Sequence, residues 1–401
     1  MERSFEKEFE DYFEEDLAEV DQDPEEIAQT LLHLSEATDT KPGVLWAVPR
    51  EDHLHLVLIL PGGKPIVRDL YDVPRSKLLK TVEAFQQQID DPNQWDLQLA
   101  QQLHQWILGP YEKEHLEVAE IDTLLFCLGK GLRGVPLAAL HDGQSYLVER
   151  YSLTAIPAFN LIQTDYQPRK TRKILAAGAS QFLRMNSLPS VPTEISTILT
   201  YLRSQLSNQS QWQGQSLLNR DFTLANLKEQ LYTQNYNIVH LATHAEFNPG
   251  QPQQSFIQLR DTRLSLDQMN TINWSKLNLD LLVLSACKTA LGDDSAELGF
   301  AGIALKSGVK TALGSLWYVS DLGTLAIMNE FYQQLPQWNT KAQALRQAQL
   351  GMLRGKVHVN DGRIILSNLP VQLPKELADM TNVDFSHPFY WSGFTMLSSP
   401  W

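Results

Sequence analysis

Two largely apolar segments of the sequence end in side chains that can act together as a base and a nucleophile. Residues 238–243 lead into His244, and residues 281–286 lead into Cys287. The thiolate is the attacking form of cysteine, and a free thiol is mostly protonated near neutral pH. A neighbouring imidazole removes that proton and later returns one to the leaving amine. The pair predicts a cysteine hydrolase with Cys287 as nucleophile and His244 as base.

The same chemistry needs donors for the negative charge that develops on the attacked carbonyl oxygen. We expect the backbone N–H groups of Ala245 and Cys287 to supply them, because we place both residues in tight turns that follow strand ends. Removing one such donor typically raises the barrier by about 3 kcal/mol.

Each reactive residue also has a purely structural interpretation. A lone cysteine after a buried strand is usually a small core residue. His240 shares the parity of His244 on one strand, so it faces the same side, and we expect it to be a hydrogen-bonded core histidine. Cys127 lies in the middle of another apolar strand and is predicted to be inert. The spacing alone leaves both interpretations of His244 and Cys287 open.

The sequence offers little for a metal ion or a phosphate group. The two cysteines are 160 residues apart, and no pair of histidine and cysteine residues has the close spacing of a zinc site. The glycine-rich residues 128–134 lack the Gly-Lys-Ser/Thr ending of a phosphate-binding loop, so we interpret them as a tight turn. No metal and no cofactor is expected at the predicted site.

The elements that must position these residues alternate along the second half of the chain. Apolar runs near residues 173–178, 238–243, 279–286 and 309–317 are typical of strands buried on both faces, and helical patterns between them imply parallel pairing. Ligands bind beyond the carboxyl ends of such strands. His244 and Cys287 are 43 residues apart, which leaves room for one connection between neighbouring strands.

The first half is also α/β, but it contains no catalytic constellation. Strands are predicted near residues 44–48, 54–60, 66–71 and 124–128, with helices over 76–89 and 96–108 and a pair of strands over 146–157. The polar residues 164–172 are a plausible boundary. The expected division is an acidic helical segment over 1–39, an α/β half over 40–165 and a catalytic domain over 166–401.

The negative charge of the chain is concentrated at its N-terminus. Residues 1–27 contain thirteen acidic and two basic residues and so carry −11 of the net charge of −14. No basic face is available for DNA or RNA. No apolar run is long enough to cross a membrane, and two distant cysteines indicate a reducing compartment, so we expect a cytoplasmic protein without a membrane partner.

Apolar residues in this acidic segment recur at helical spacing and form one stripe. Its members are Phe5, Phe9, Tyr12, Phe13, Leu17 and Val20. We expect the stripe to dock on the body of the chain, and the alternative is a contact with the helical array of a partner. Asp23 is then predicted to cap a second helix.

Several motifs, in this order, resemble those of the CHAT domain, a caspase- and separase-related peptidase family that often follows tetratricopeptide repeats. They are GVPLAALHDG (134–143), VHLATH (239–244), LVLSACKTALG (282–292), LGFAG (298–302), GVKTALGSLW (308–317) and HPFYWSGF (387–394). The resemblance implies a caspase-like, mostly parallel sheet flanked by helices, a dyad of His244 and Cys287 without a metal, and a pseudo-caspase half over 40–165.

The sequence departs from the family pattern at two places. Many relatives have glycine where this chain has Ala245, and an added Cβ could tilt the oxyanion amide. Relatives often have Trp-Asp-Val-Thr-Asp where this chain has Trp317-Tyr318-Val319-Ser320-Asp321. Because separase-like relatives cut after basic residues, Asp321 is a candidate for the specificity pocket that selects Arg or Lys. The alternative is that Asp321 caps the following helix.

Three functions follow from this pattern. The first is a partner- or signal-regulated cysteine endopeptidase that cleaves a specific protein substrate, with a tetratricopeptide-repeat or other regulatory protein as partner. The second is a catalytically silent caspase-like scaffold that binds a partner. The third is a thiol hydrolase or acyltransferase on small substrates, which uses the same dyad.

Overall fold

The fold is taken from a computed structural model. It describes residues 1–17, 22–89, 95–166, 171–182, 185–205, 211–274, 277, 279–289 and 293–401. For Thr171, Gln211, Asn270, Ala286, Cys287 and Thr289 only the backbone is described.

The N-terminal half contains five helices and five strands among the described residues. The helices are α1 (Glu2–Phe13), α2 (Pro24–Thr38), α3 (Arg75–Ile89), α4 (Gln98–Ile107) and α5 (Leu147–Arg150). The strands are β1 (Pro42–Pro49), β2 (Leu54–Ile59), β3 (Ile66–Leu70), β4 (Thr123–Leu128) and β5 (Ser152–Ile156).

The C-terminal half alternates strands and helices as its sequence predicts. Its strands are β6 (Thr171–Gly178), β7 (Gln211–Leu218), β8 (Ile238–Phe247), β9 (Phe256–Gln258), β10 (Arg263–Ser265), β11 (Leu281–Thr289) and β12 (Thr311–Ser315). Its helices are α6 (Val191–Ser204), α7 (Leu224–Thr233), α8 (Asp294–Ala301), α9 (Ile303–Ser307), α10 (Asp321–Gln334) and α11 (Lys341–Leu353).

The last part of the chain forms a small separate sheet and then returns to the main one. The elements are β13 (His358–Asn360), β14 (Arg363–Ile365), β15 (Val371–Gln372), β16 (Asn382–Asp384), α12 (Pro388–Trp391) and β17 (Phe394–Ser398). Strands β13 to β16 make an antiparallel sheet of four strands, which the sequence patterns did not predict.

One sheet of 13 strands, counted over the described residues, runs through both halves. Its order is β10-β9-β8-β11-β12-β17-β5-β4-β1-β2-β3, and β6 and β7 continue from β8 beside β9. Strand β17 lies between the halves, antiparallel to β12 and parallel to β5. Central strands such as β4 and β12 are buried throughout, which explains their continuous apolar sequences. The predicted α/β fold, with a mostly parallel sheet flanked by helices, is confirmed.

The boundary expected near residue 165 falls between β5 and β6, although the sheet itself is continuous. The division into segments 1–39, 40–165 and 166–401 stays a prediction.

The acidic helix α1 docks on the body of the chain, which confirms the docking interpretation of its apolar stripe. Phe5, Phe9 and Phe13 are buried, and Leu17 is partly buried, whereas Val20 lies outside the described residues. The ring of Phe13 packs at the junction of α8 and α9, where a Cβ on Gly302 would come 2.5 Å from its Cε2. This contact requires glycine at the junction.

Opposite charges accompany the docking of α1. Glu8 forms an ion pair with Arg133, and the Nζ of Lys306 lies 2.6 Å from the Oε1 of Glu15. The acidic residues of this segment therefore also bind basic side chains of the same chain.

The beginning of α2 follows the predicted capping pattern. The carboxylate of Asp23 accepts hydrogen bonds from the N–H groups of Glu25 and Glu26, and the side chain of Glu26 accepts one from the N–H of Asp23. The two residues thus satisfy three donors at the helix end, as a capping box does.

Two expectations about local structure are wrong. Residues 146–157 are not a pair of strands, because Leu147–Arg150 is a helical turn and only Ser152–Ile156 is a strand. The carboxylate of Glu149 accepts a hydrogen bond from the N–H of Tyr146, which closes this turn. The helical pattern between the apolar runs 279–286 and 309–317, which predicts one helix near residues 298–306, is divided between α8 and α9 at Gly302.

None of the helices in the described part of the chain is both long enough and apolar enough to cross a membrane.

Candidate active site

The two strands that carry the predicted dyad are neighbours. Strands β8 and β11 pair in parallel, so their carboxyl ends lie at the same edge of the sheet. Leu284 is opposite Leu241, whereas Ala286 is opposite His244, so β8 contains one more residue than β11 over this stretch. Such a bulge bends a strand and re-aims the side chains that follow it. Here it lies immediately before His244.

The imidazole of His244 is held in one orientation by the chain segment before α6. Its Nε2 lies 2.9 Å from the carbonyl oxygen of Asn186, and its ring packs edge-to-face on Phe182 at 4.9 Å between centroids. A carbonyl oxygen only accepts, so Nε2 carries the proton. In the neutral ring Nδ1 therefore has the lone pair, which is the form that a general base needs.

The structure describes the backbone of Cys287 but not its side chain. The backbone of Cys287 is opposite Ala245, one position beyond the pair of Ala286 and His244. Adjacent strands are separated by about 4.8 Å, so the two backbone segments lie next to each other. Strand β12 pairs with β11 only from Leu281 to Val283. Cys287 thus lies on a part of β11 that extends beyond its pairing with β12.

The expectation that Ala245 and Cys287 follow strand ends in tight turns is wrong. Strand β8 continues to Phe247 and β11 to Thr289. Ala245 is opposite Cys287 on one side and Ile257 of β9 on the other. The N–H of Ala245 therefore faces either β11 or β9, and both of these strands pair with β8 at this residue. The polar end of β8 did not indicate this continuation, because the pairing with β9 is not visible in the sequence pattern.

Asp321 is the first residue of α10, and Ser320 is the helix cap. The hydroxyl of Ser320 accepts a hydrogen bond from the N–H of Gly323, so the interpretation of Asp321 as the cap is wrong. The carboxylate of Asp321 instead accepts a hydrogen bond of 2.9 Å from the N–H of Ser190, at the start of α6.

The pKa of Asp321 is raised above its ordinary value, because the carboxyl group is largely buried. The negative charge of Glu194 acts in the same direction, whereas the hydrogen bond from Ser190 and the nearby His244 lower it. Asp321 is thus close enough to His244 to interact with it electrostatically. The raised pKa means that Ser190 and His244 do not fully offset the cost of burying the negative charge of Asp321.

A buried polar network lies behind the site, and the sequence analysis missed most of it. The Oε1 of Glu194 on α6 accepts hydrogen bonds from the Nε2 of His240 at 2.8 Å and from the hydroxyl of Ser285. The hydroxyl of Tyr332 on α10 lies 3.2 Å from the Nδ1 of His240. All four residues are at most 2% exposed.

This network joins the two strands of the site to the helices that cover them. His240 is four residues before His244 on β8, and Ser285 is two residues before Cys287 on β11. Burial raises the pKa of Tyr332 well above its ordinary value, so its hydroxyl keeps its proton and donates to Nδ1. His240 is the hydrogen-bonded core histidine that its sequence position predicted.

The other cysteine is in a different environment. Cys127 is fully buried in β4, and its thiol lies 3.3 Å from the carbonyl oxygen of Pro157. Burial raises the pKa of this thiol well above its ordinary value. The prediction that Cys127 is an inert core residue is supported by both observations.

Within the described residues, one cluster has the donor atoms and spacing to hold a metal ion: His53, His55 and Asp69. It belongs to β2, β3 and the turn before β2, on the other half of the sheet from the candidate site.

Comparison with known proteins places the chain among caspase-like folds. The family model described as the CHAT domain matches residues 97–399. A crystal structure of the Saccharomyces cerevisiae separase–securin complex superposes with a TM-score of 0.51 at 12% identity, over 94% of this chain and 31% of that chain. A second structure of that complex gives a TM-score of 0.48 at 11% identity, with the same coverage.

The chain thus spans about a third of the solved chain to which it is similar. Comparison with curated proteins found no significant match.

Proposed function

Because the chain belongs to the CHAT domain family, we propose that it is a cysteine endopeptidase of the caspase and separase type, with His244 and Cys287 as its dyad. The observation that carries the proposal is the register of β8 and β11, in which His244 is opposite the residue before Cys287. The hydrogen bond from Nε2 to Asn186 supports it, since it leaves Nδ1 as the basic nitrogen.

In the proposed reaction, Nδ1 of His244 takes the proton of the Cys287 thiol, and the thiolate attacks the carbonyl carbon of the scissile peptide bond. The electron pair of the carbonyl moves onto its oxygen. The imidazolium then gives its proton to the leaving amine as the carbon–nitrogen bond breaks. Water, deprotonated by His244, hydrolyses the resulting thioester and regenerates the thiol.

One oxyanion donor in this proposal is the N–H of Cys287, on the part of β11 beyond its pairing with β12. The N–H of Ala245 becomes a second donor only where the strand that it faces, β9 or β11, moves away. The pairing with β9 is the shorter one and consists of two residue pairs, Ala245 with Ile257 and Glu246 with Phe256. If the N–H faces β9, substrate binding is expected to displace that strand.

The preferred substrate residue before the scissile bond is arginine or lysine. The carboxylate of Asp321 is largely buried, is held by the N–H of Ser190 and is near His244. A substrate guanidinium or ammonium group would compensate this charge. The raised pKa also means that Asp321 is protonated at a higher pH than an ordinary carboxyl, so affinity for basic substrates should fall as the pH is lowered towards that pKa.

We also propose that a protein partner regulates the site. Yeast separase, whose fold this chain shares, is crystallised in complex with securin. A tetratricopeptide-repeat protein or another regulatory protein is the expected kind of partner here, in the cytoplasm. Ala245 is paired with a strand on each side, so its N–H is not open to a substrate. This pairing favours the second candidate function, a catalytically silent scaffold that binds such a partner.

A panel of fluorogenic peptides that differ only in the residue before the scissile bond tests the proposal. The wild-type chain should cleave Arg and Lys peptides and not the Asp peptide, and Cys287→Ala should cleave none. Asp321→Asn should lose about 2–4 kcal/mol of transition-state binding, a 30- to 1000-fold fall in kcat/KM for Arg peptides.

A cysteine-reactive peptide probe separates the candidates. If the Cys127→Ala variant is still labelled and the Cys287→Ala variant is not, Cys287 is a reactive nucleophile. Absence of labelling in the wild type would favour the scaffold, and labelling without peptide cleavage would favour a small-molecule thiol enzyme. Preference for the Asp peptide would contradict the role of Asp321.

A further inference from the structure

The hairpin at the outer edge of the N-terminal half brings three ligand-type side chains onto one face. Strands β2 and β3 are antiparallel, and His55 is directly opposite Asp69. His53 is two residues before His55, at the turn that the hydrogen bond from the N–H of Arg50 to the carbonyl of His53 closes. Ring nitrogens of both histidines contact the carboxylate of Asp69, so both imidazoles point towards it.

The distance between His53 and Asp69 matches that between two ligands of a tetrahedral metal ion, and His55 lies within hydrogen-bonding distance of the same oxygen. Two ligands about 2.1 Å from such an ion lie about 3.4 Å apart. The Nε2 of His53 is 3.4 Å from the Oδ1 of Asp69. The Nδ1 of His55 is 2.6 Å from the same oxygen, which is a hydrogen bond. One donor atom from each of the three residues lies within 4.8 Å of the others.

A further carboxylate fixes the tautomer of His53. The Oδ1 of Asp52 lies 2.7 Å from the Nδ1 of His53 and accepts a hydrogen bond from it. The lone pair is then on Nε2, the nitrogen that faces Asp69. Metal-binding histidines typically donate their other ring nitrogen to a carboxylate in this way. The ring of Tyr71, 4.9 Å away between centroids, packs against His53 and restricts its orientation.

Burial and charge also suit a cation. The side chains of His53, His55 and Asp69 are 18%, 24% and 35% exposed, so the cluster is sheltered but open to solvent on one side. With neutral imidazoles, Asp52 and Asp69 give the cluster a charge of about −2, which a divalent ion would neutralise.

We propose that His53, His55 and Asp69 bind a divalent transition-metal ion, Zn²⁺ in the first instance, with water in the open position. Two imidazoles and one carboxylate suit Zn²⁺ better than Mg²⁺ or Ca²⁺, which prefer all-oxygen sites. When the ion binds Nδ1 of His55, the proton on that nitrogen passes to solvent and Nε2 takes one up from solvent, so the ring stays neutral and its hydrogen bond to Asp69 is replaced by the metal. The ion then joins β2, β3 and the preceding turn, and so stabilises the edge of the sheet.

The sequence did not indicate this site, because zinc motifs are usually recognised from cysteine and histidine spacings in fingers and helices. Here the signal is a pair of histidines two residues apart at the beginning of a strand, with an aspartate opposite the second one on the next strand. The register of the hairpin, and not the local sequence, brings the three together.

The test is calorimetric titration of the full chain with ZnCl₂ in a buffer that does not bind metals. All proteins carry Cys287→Ala, so that the thiol of the candidate site cannot bind Zn²⁺. The reference protein should bind one equivalent of Zn²⁺, and its melting temperature should rise with the concentration of the ion. His55→Ala and Asp69→Asn should each lose at least 100-fold in affinity, and Asp52→Asn about 10-fold.

His33→Ala is the matched control, because His33 is an exposed histidine on α2, outside the cluster, and its removal should leave the affinity unchanged. Melting without metal verifies that each variant is folded, and His55→Gln replaces His55→Ala if the latter is not. Absence of stoichiometric binding, or equal binding by His55→Ala, Asp69→Asn and His33→Ala, would overturn the proposal. Because the dyad is disabled throughout, this result is independent of peptidase activity.

Discussion

The two halves of the sheet each contain one cysteine in a central strand, and the two cysteines differ in how far their neighbouring strands extend. At Cys127, strand β4 is paired on both sides, with Trp46 of β1 and Ile156 of β5 as register partners. At Cys287, strand β11 is paired with β8, while its pairing with β12 has ended four residues earlier, at Val283.

Under the proposed function, this difference means that the length of the neighbouring strands decides whether a strand cysteine is available to a substrate. Both residues follow largely apolar sequences, Leu-Leu-Phe before Cys127 and Leu-Ser-Ala before Cys287. A thiol enclosed between paired strands is desolvated, and its ionisation is suppressed. We therefore propose that the substrate of Cys287 binds beside the part of β11 that extends beyond its pairing with β12.

Substitution of each cysteine by alanine tests the comparison and should give the largest difference in activity. Cys287→Ala should lower kcat/KM by about 10⁴- to 10⁶-fold, as removal of a nucleophile does. Cys127→Ala should keep its activity and lose about 1 kcal/mol of unfolding free energy, because it leaves a small cavity. Peptide cleavage and urea unfolding of both variants measure this. Equal loss of activity in the two variants would contradict the assignment.

The two histidines of β8 allow a structural residue and a proposed catalytic residue to be compared within one strand. His240→Ala leaves the carboxylate of Glu194 buried without its main partner and should cost about 3–5 kcal/mol of unfolding free energy. His244→Ala removes a half-buried ring and should change the unfolding free energy by less than about 1 kcal/mol while abolishing cleavage. The opposite pattern, an unstable His244→Ala and a stable His240→Ala, would argue against the assigned roles.

Glu194→Gln examines how the strands of the site are held together. The amide keeps the shape of the carboxylate and can still accept from one partner, but it loses the charge that strengthens both hydrogen bonds. We expect a loss of about 2 kcal/mol in unfolding free energy. Glu229→Gln, an exposed substitution on α7, is the control, and its stability should be unchanged. If both variants are equally stable, the network does not hold the strands.

Tyr332→Phe should give the smallest effect. It removes one neutral hydrogen bond to the Nδ1 of His240, which typically contributes about 1 kcal/mol, with part of the cost arising from the unpaired nitrogen. Thermal unfolding of this variant beside Tyr232→Phe, at an exposed tyrosine of α7, measures the difference. A loss above about 3 kcal/mol would indicate that Tyr332 has a further role in packing.

The sequence predicted the sheet and the order of most elements, because long apolar runs bounded by polar residues are local signals. It located His244 and Cys287 after two such runs for the same reason, but that the two strands are neighbours followed only from the structure. It did not predict that β8 continues through Ala245, since this depends on β9 being available as a partner.

The buried hydrogen-bond network around Glu194 could not be predicted from local sequence patterns. Glu194 is 46 residues from His240 and 91 residues from Ser285 in sequence, and Tyr332 is 92 residues from His240. A glutamate near the start of a predicted helix is expected to be exposed and to interact with the helix dipole. Only the packing of α6 on β8 and β11 reveals that this one is a core residue.

The position of β17 has a consequence for synthesis on the ribosome. The N-terminal half is complete by β5, and the strands that carry His244 and Cys287 follow it, yet the strand that joins the two halves comes from residues 394–398. Until those residues emerge, β12 and β5 each present an open edge that can pair with another nascent chain. We therefore expect chaperone dependence and aggregation of translation-arrested chains to decrease abruptly once this segment is released.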